Sequence, residues 1–166
     1  PHTTIIMNVQ EATTRRLPDL KERHLPENCR ETINTILKET YGYEQFRNLE
    51  IYDDLSKGKE KLCISQGQLI ENVILEAEKA WKGETQVDNI LLTAPTGSGK
   101  SLLFQLPAIY LGKEYNLLTI VVSPLKALIV DQVESLQELG YTRVAYASSD
   151  LSPEQKMEVY RQVREG

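Results

Sequence analysis

Apolar and polar positions divide the chain into segments of different period. Residues 3–9, TTIIMNV, have a short unbroken apolar centre and predict a strand. Residues 26–43, PENCRETINTILKETYGY, change to a helical period: Ile33, Ile36 and Leu37 share a face, Pro26 and Glu27 suit a first turn, and Gly42 ends it. Residues 50–62, EIYDDLSKGKEKL, are charged and hold no sustained period, which predicts an exposed loop or linker. Helical spacing returns over 66–83, where Leu69, Ile70, Val73, Ile74, Ala77, Ala80 and Trp81 form one broad stripe before Gly83.

From there the two periods alternate. Strands are predicted at 89–94, 117–123 and 142–148, and helices at 99–111, 125–140 and 152–165. Continuous apolar strands alternating with amphipathic helices predict an α/β fold: a parallel sheet with helices on both faces, joined by right-handed crossovers. The charged stretch places a boundary near residue 55, with a small, mainly helical appendage at 1–55 and the α/β domain at 56–166.

Composition narrows the function. At 166 residues and 40% hydrophobic, the chain is long enough to bury one real core plus an appendage. No apolar run approaches the roughly 20 residues of a membrane span. The first residues, PHTTIIMNVQEATTRR, lack a basic segment followed by a long apolar block, so no membrane association or secretion is expected. Cys29 and Cys63 stand far apart without a CxxC partner, which suits a reducing compartment, cytoplasmic or nuclear. A net charge of −5 disfavours a dedicated DNA-binding module, but it leaves room for local phosphate contacts. His2 and His24 lack a partner at ligand spacing, Asp53–Asp54 read as solvated loop carboxylates, and Trp81 reads as packing. The YGYEQF cluster at 41–46 reads as an anchor of the N-terminal helix against the sheet.

The chemistry lies in APTGSGKS, residues 94–101, between a predicted strand and a predicted helix. Gly97 and Gly99 let the backbone curl so that several N–H groups converge, and the positive end of the next helix adds to them; together they cradle phosphate oxygens. Lys100 would reach the β- and γ-phosphates of a nucleoside triphosphate, and the Ser101 hydroxyl would ligate Mg²⁺. Ala94, Pro95, Thr96, Gly97, Ser98, Gly99, Lys100 and Ser101 are therefore the nucleotide-binding candidates, with Lys100 and Ser101 as the catalytic pair. The strict pattern G-x-x-x-x-G-K-[ST] fails at its first position, Ala94.

That departure is informative. Ala followed by Pro-Thr-Gly resembles motif I of superfamily 2 helicases, A-x-T-G-x-G-K-[ST]. The continuation SLLFQLPAIYL is similar to the segment that follows motif I in RecQ-like DNA helicases. TIVVSPLKALIVDQVESLQELG, residues 119–140, resembles their motif Ia, and VAYASSDLSPEQKMEVYRQVREG, residues 144–166, their next strand and helix. The resemblance covers residues 64 to 166. It implies the P-loop NTPase, or RecA-like, fold, ATP and Mg²⁺ as cofactors, and DNA as partner, single-stranded or with a single-stranded end. It also implies strand-backbone contacts at Ser123, Leu125, Lys126 and Ser148. A glutamine ahead of motif I reads adenine in this family; CISQGQLIENVI supplies Gln66 and Gln68, and Gln68 is the choice.

ATP hydrolysis in that family also needs a D-E-x-H box and arginine fingers from a second RecA-like domain. The sequence holds no D-E-x-H segment. The expectation is thus an incomplete first RecA-like domain, the N-terminal part of a larger helicase, working with its own second domain and within reach of further protein partners. Another P-loop NTPase, or a non-catalytic nucleotide-binding fragment, is the alternative.

Overall fold

The computed structural model describes residues 21–52, 61–92 and 97–165. Expectations for 3–9, for 93–94 and for Ala94, Pro95 and Thr96 fall outside them. The elements are α1 (Glu27–Tyr41), β1 (Asn48–Tyr52), β2 (Lys61–Ser65), α2 (Gln66–Trp81), α3 (Leu102–Tyr115), α4 (Lys126–Glu138) and α5 (Pro153–Glu165). They fall into two compact units. Of the described residues, one unit combines 21–26 with those between Phe46 and Leu103; the other combines Glu27–Gln45 with those from Phe104 onward. The helix α1, expected in an accessory segment, therefore groups with α4 and α5.

In the first unit, β1 and β2 form an antiparallel pair in which Asn48 faces Ser65 and Tyr52 faces Lys61. This corrects the loop expected over 50–62 at its two ends, 50–52 and 61–62; residues 53–60 of it lie outside the described residues. The register sets Leu49 opposite Ile64 and Ile51 opposite Leu62, a period of two on each strand. A window starting at Glu50 averages those short strands with the charged residues between them and hides the alternation.

Helix α2 starts at Ser65, whose hydroxyl accepts the Gly67 N–H while the Gln68 side chain accepts the Ser65 N–H, a capping box. It ends in a Schellman motif: Glu84 N–H donates to the Lys79 carbonyl at 3.0 Å and Gly83 N–H to Ala80 at 3.1 Å. Ile70 and Ile74 of the predicted stripe are fully buried, and Glu71, Glu76 and Glu78 on the nominally polar side are buried as well, though less completely. Glu71 accepts the Leu25 N–H at 3.0 Å and lies 3.4 Å from His24 Nδ1. Glu76 accepts from Arg23 at 2.6 Å, Lys79 at 3.1 Å and the Asp88 N–H at 2.9 Å. Segments 23–25 and 88 are thus fixed to α2 by its carboxylates. The stripe ends early: Ala80 is exposed, and Trp81 is 59% exposed rather than packed.

The second unit buries Ile33, Ile36 and Leu37 of α1, Leu106, Ile109, Tyr110 and Leu111 of α3, and Val133 and Leu136 of α4. Pro107 lies within α3 and has no amide to give the carbonyl four residues back. The Tyr41 hydroxyl donates to Gln105 Oε1 at 3.2 Å, and Gln105 Nε2 donates to Gln132 Oε1 at 2.7 Å. This relay joins α1, α3 and α4. Burial, with Tyr141 adding to it, pushes the Tyr41 hydroxyl well above its ordinary pKa, so it remains a donor. Tyr41 thus anchors α1 to a helix rather than to a sheet.

The parallel sheet is where sequence and structure differ. Among the described residues, 89–92, 117–123 and 142–148 form no ladder, and the β1–β2 pair is the one sheet. Several of their apolar residues face outward: Leu91 is 92% exposed, Ile120 77% and Val122 90%. The physical reason is that apolar runs encode burial, whereas strand order comes from partners about 4.8 Å away whose N–H and C=O groups complete each row. Without that ladder, the segments here stay unpaired. The helices predicted between them do form, because their hydrogen bonds are internal.

Candidate functional site

The phosphate-loop candidates belong to the first unit. Gly97 (φ 81°) and Gly99 (φ 79°) both occupy the left-handed region that glycine enters without penalty. Lys100 and Ser101 form the following turn, the Leu103 N–H reaches back to the Lys100 carbonyl at 3.0 Å, and α3 opens at Leu102. Ser98 Oγ is buried with no hydrogen-bond partner among the described residues. Lys100 and Ser101 are half-buried. Curled backbone, a helix start, a cation and an orphaned hydroxyl match what a triphosphate needs: donors for its oxygens and positive potential for its charge. Residues 97–101 therefore fit ATP, with the Ser101 hydroxyl available to a Mg²⁺ ion. Among the described residues no group of three or more His, Cys, Asp or Glu side chains could hold a metal on its own.

The two glutamines ahead of the loop have separate tasks. Gln68 is the third residue of α2, and its Oε1 accepts the Ser65 N–H at 3.1 Å as part of the cap. Gln66, two residues earlier, is 2% exposed, and its side chain turns toward the loop. Nothing in the sequence separated them. At a helix start, two residues of spacing rotate a side chain through about 200°, and only the structure shows which one meets the loop.

In the second unit, Ser123 Oγ accepts the Leu125 N–H at 3.4 Å, and Leu125 is the N-cap of α4 without a side-chain cap bond. Lys126 Nζ lies 2.6 Å from Asp150 Oδ1 in an exposed ion pair. Ser148 Oγ accepts the Asp150 N–H at 3.3 Å, and Ser149 Oγ donates to Asp150 Oδ1 at 3.3 Å. The ammonium of Lys126, then its hydrogen bond with Ser149, hold the Asp150 carboxyl below its usual range. The fold thus brings Lys126 and the Ser148–Asp150 turn together. Asp150 was the residue sequence reasoning missed. Its partner lies 24 positions away, so no local pattern could have exposed it.

Similarity to known proteins can now be weighed against this geometry. The model of the DEAD/DEAH box helicase family matches residues 66–165, from the first residue of α2 through the last of α5. The chain is 32% identical over 132 residues to the ATP-dependent DNA helicase RecQ of Synechocystis, covering 80% of this chain and 21% of that protein. It is 32% identical over 136 residues to the ATP-dependent DNA helicase Q-like 5 of Arabidopsis thaliana, covering 82% and 11%. To the RecQ of Haemophilus influenzae it is 30% identical over 135 residues, covering 81% and 17%. The chain therefore spans about a fifth or less of these relatives. No solved structure matches it. The match takes in the glycine loop, the Ser-Pro-Leu-Lys turn and both following helices in order. With that match over residues 66–165, the chain belongs to the DEAD/DEAH box helicase family.

Proposed function

We propose that this chain provides the ATP-phosphate site and one strand-contacting surface of an ATP-dependent helicase acting on DNA. The observation that carries the reading is the left-handed curl at Gly97 and Gly99 leading directly into α3, within the segment that matches the family. Residues 94–101 hold the triphosphate, with Lys100 neutralising its terminal charge. Mg²⁺, held in part by Ser101, would supply Lewis-acid stabilisation of that charge. Gln68 reads the adenine with the part of its amide that the helix cap does not use. Ser123, Leu125, Lys126 and Ser148 touch the backbone of a DNA strand. Such contacts grip without reading sequence, as a translocating motor requires.

Under this reading the finer fold is RecA-like, and a second RecA-like domain completes the hydrolytic site. Residues 1–55 are an accessory element in sequence terms, although α1 folds with the second unit. The protein works where cellular DNA is held, in a bacterial cytosol or a nucleus. No described helix is long and apolar enough to cross a membrane.

The test is ATP turnover by the whole protein with and without single-stranded DNA. Turnover stimulated by DNA and abolished by Mg²⁺ chelation supports the reading; binding of ATP without DNA-dependent turnover overturns it in favour of a non-motor nucleotide protein.

A further inference from the structure

Resting on that reading, a strand held near Lys126 has to influence turnover at the phosphate loop, and three side chains of the second unit are suited to carry that influence. Helix α3 follows Ser101 directly, so its first turn continues the phosphate loop. Pro107 stands inside α3 and has no N–H for the Leu103 carbonyl. The start of α3 is therefore joined to the rest of the helix by fewer internal bonds than an unbroken helix supplies. Gln105 lies in that stretch and is buried, 8% exposed. It is the middle of the relay described above, accepting from the Tyr41 hydroxyl and donating to Gln132.

Helix α4 is held unevenly. The residues it buries, Val133 and Leu136, both lie in its C-terminal half. Near its start Leu128 is 45% exposed, and Leu125 just ahead of it 63%. A helix anchored at one end can tilt, and the loose end here carries Lys126. Gln132 adjoins the anchored end, 2.7 Å from Gln105 Nε2. A displacement of about 1 Å along that bond takes the pair past hydrogen-bond range. The buried Gln105 amide would then lose its acceptor, which is costly. An apolar contact would tolerate many tilts of α4, whereas this bond separates joined from parted.

Tyr41 sets the other end of the relay. It is the last residue of α1, its ring stacks on Tyr43 with centroids 6.4 Å apart, and Ile33, Ile36 and Leu37 bury the helix behind it. With its Oε1 held by that fixed hydroxyl, the Gln105 amide has its Nε2 donors committed to the α4 side.

We propose that Tyr41, Gln105 and Gln132 form a coupling relay: they are positioning residues through which a DNA strand bound at the start of α4 changes turnover at the phosphate loop. Helix α1, which lies ahead of the family match, is then part of the coupling rather than an appendage to it.

The test uses the whole protein, ATP and a single-stranded oligodeoxythymidine. Tyr41→Phe removes only the hydroxyl, and Gln132→Leu removes the acceptor at a half-buried position. In both variants ATP affinity, turnover without DNA and DNA affinity should stay within about twofold of wild type. The stimulation of turnover by saturating DNA should fall about fivefold, the equivalent of one net hydrogen bond. The double variant should fall no further than the worse single one, because both substitutions act through Gln105. Wild-type stimulation in the folded single variants overturns the proposal, as does a double variant in which the two losses multiply. An equal loss of turnover with and without DNA also overturns it, since a relay that merely supports the fold would do that. Should Gln132→Leu fail to fold, Tyr41→Phe decides alone. A wild-type protein that DNA does not stimulate refutes the function proposed above and the relay with it. A stimulated wild type with equally stimulated variants refutes the relay alone.

Discussion

The phosphate loop and the Ser123–Asp150 region are both candidates for gripping phosphate, and they are built in contrasting ways. The loop is secured from behind by a buried amide that fixes two of its carbonyls. The other region is held by short local turns and by one exposed ion pair, with Lys126 and Asp150 55% and 67% exposed at their side chains. A donor set fixed before the ligand arrives does not have to be ordered during binding, and it gives a tight, geometrically selective grip. An exposed cation with a replaceable counter-ion gives a weak grip that salt screens and that can be remade. The motor proposed above would use both: one site that recognises a triphosphate, and another that lets go of each phosphate along a strand.

The largest effect tests the first side of this contrast. Replacing Lys100 with Ala in the whole protein removes the cation proposed to meet the triphosphate, and under that proposal ATP turnover should fall by on the order of 100-fold or more. The melting temperature should stay near that of wild type, because both loop glycines keep their left-handed conformation whatever side chain stands at position 100. Wild-type turnover in the variant would remove Lys100 from the site.

The next effect concerns α2, the helix that Gln66 opens. Burial of the Glu76 carboxyl acts to raise its pKa, but the Asp88 N–H and the Arg23 and Lys79 cations outweigh it and bring it from 4.5 down to about 2. A carboxylate lowered in the folded state stabilises the fold above the ordinary value, and that stabilisation is lost as pH falls from 4.5 toward 2. Glu76→Gln should therefore cost about 2 kcal/mol at pH 7, read as a lower melting temperature. The gap to wild type should close progressively below pH 4.5. A gap that does not change with pH would show that Glu76 acts through shape rather than charge.

These two sites also show how far the sequence could be read. The glycine loop was legible because its chemistry is local: Gly97, Gly99, Lys100 and Ser101 lie within five residues of one another. Helices α2 to α5 were legible for the same reason, their stripes, caps and stops being written at spacings of three and four. Contacts at long range were not. The Gln66–Gly99 bond spans 33 residues and the Tyr41–Gln105 bond 64, and neither leaves a periodic trace. The buried face of α2 shows the same limit. Glu71 and Glu76 look like solvent residues until Leu25, Arg23 and Asp88 are brought against them. The extended runs 117–123 and 142–148 show the converse: their apolar pattern was plain, yet it names no partner strand.

On the weaker side of the comparison, Lys126→Ala should reduce affinity for single-stranded DNA only a few-fold at low salt. The slope of log affinity against log salt should flatten by about one phosphate contact. A parallel loss of ATP affinity without DNA would break the contrast, because it would make Lys126 part of the nucleotide site.

The smallest effect is the most discriminating. In the folded chain Asp150 competes with any phosphate for Lys126, since an ammonium 2.6 Å from a carboxylate must leave it before meeting another anion. Asp150→Asn removes the charge while keeping a side chain that can still accept from Ser149 and Lys126. DNA affinity at low salt should then rise by about twofold, because an exposed pair of this kind is easily exchanged. The gain should vanish in an Asp150→Asn, Lys126→Ala double variant. Lowering the pH should reproduce the gain in wild type as Asp150 protonates, but only below the ordinary carboxylate range, because Lys126 holds its pKa down. If Asp150→Asn instead weakens binding, the carboxylate acts by orienting Lys126 toward the strand rather than by competing for it. The second region would then be preorganised like the first.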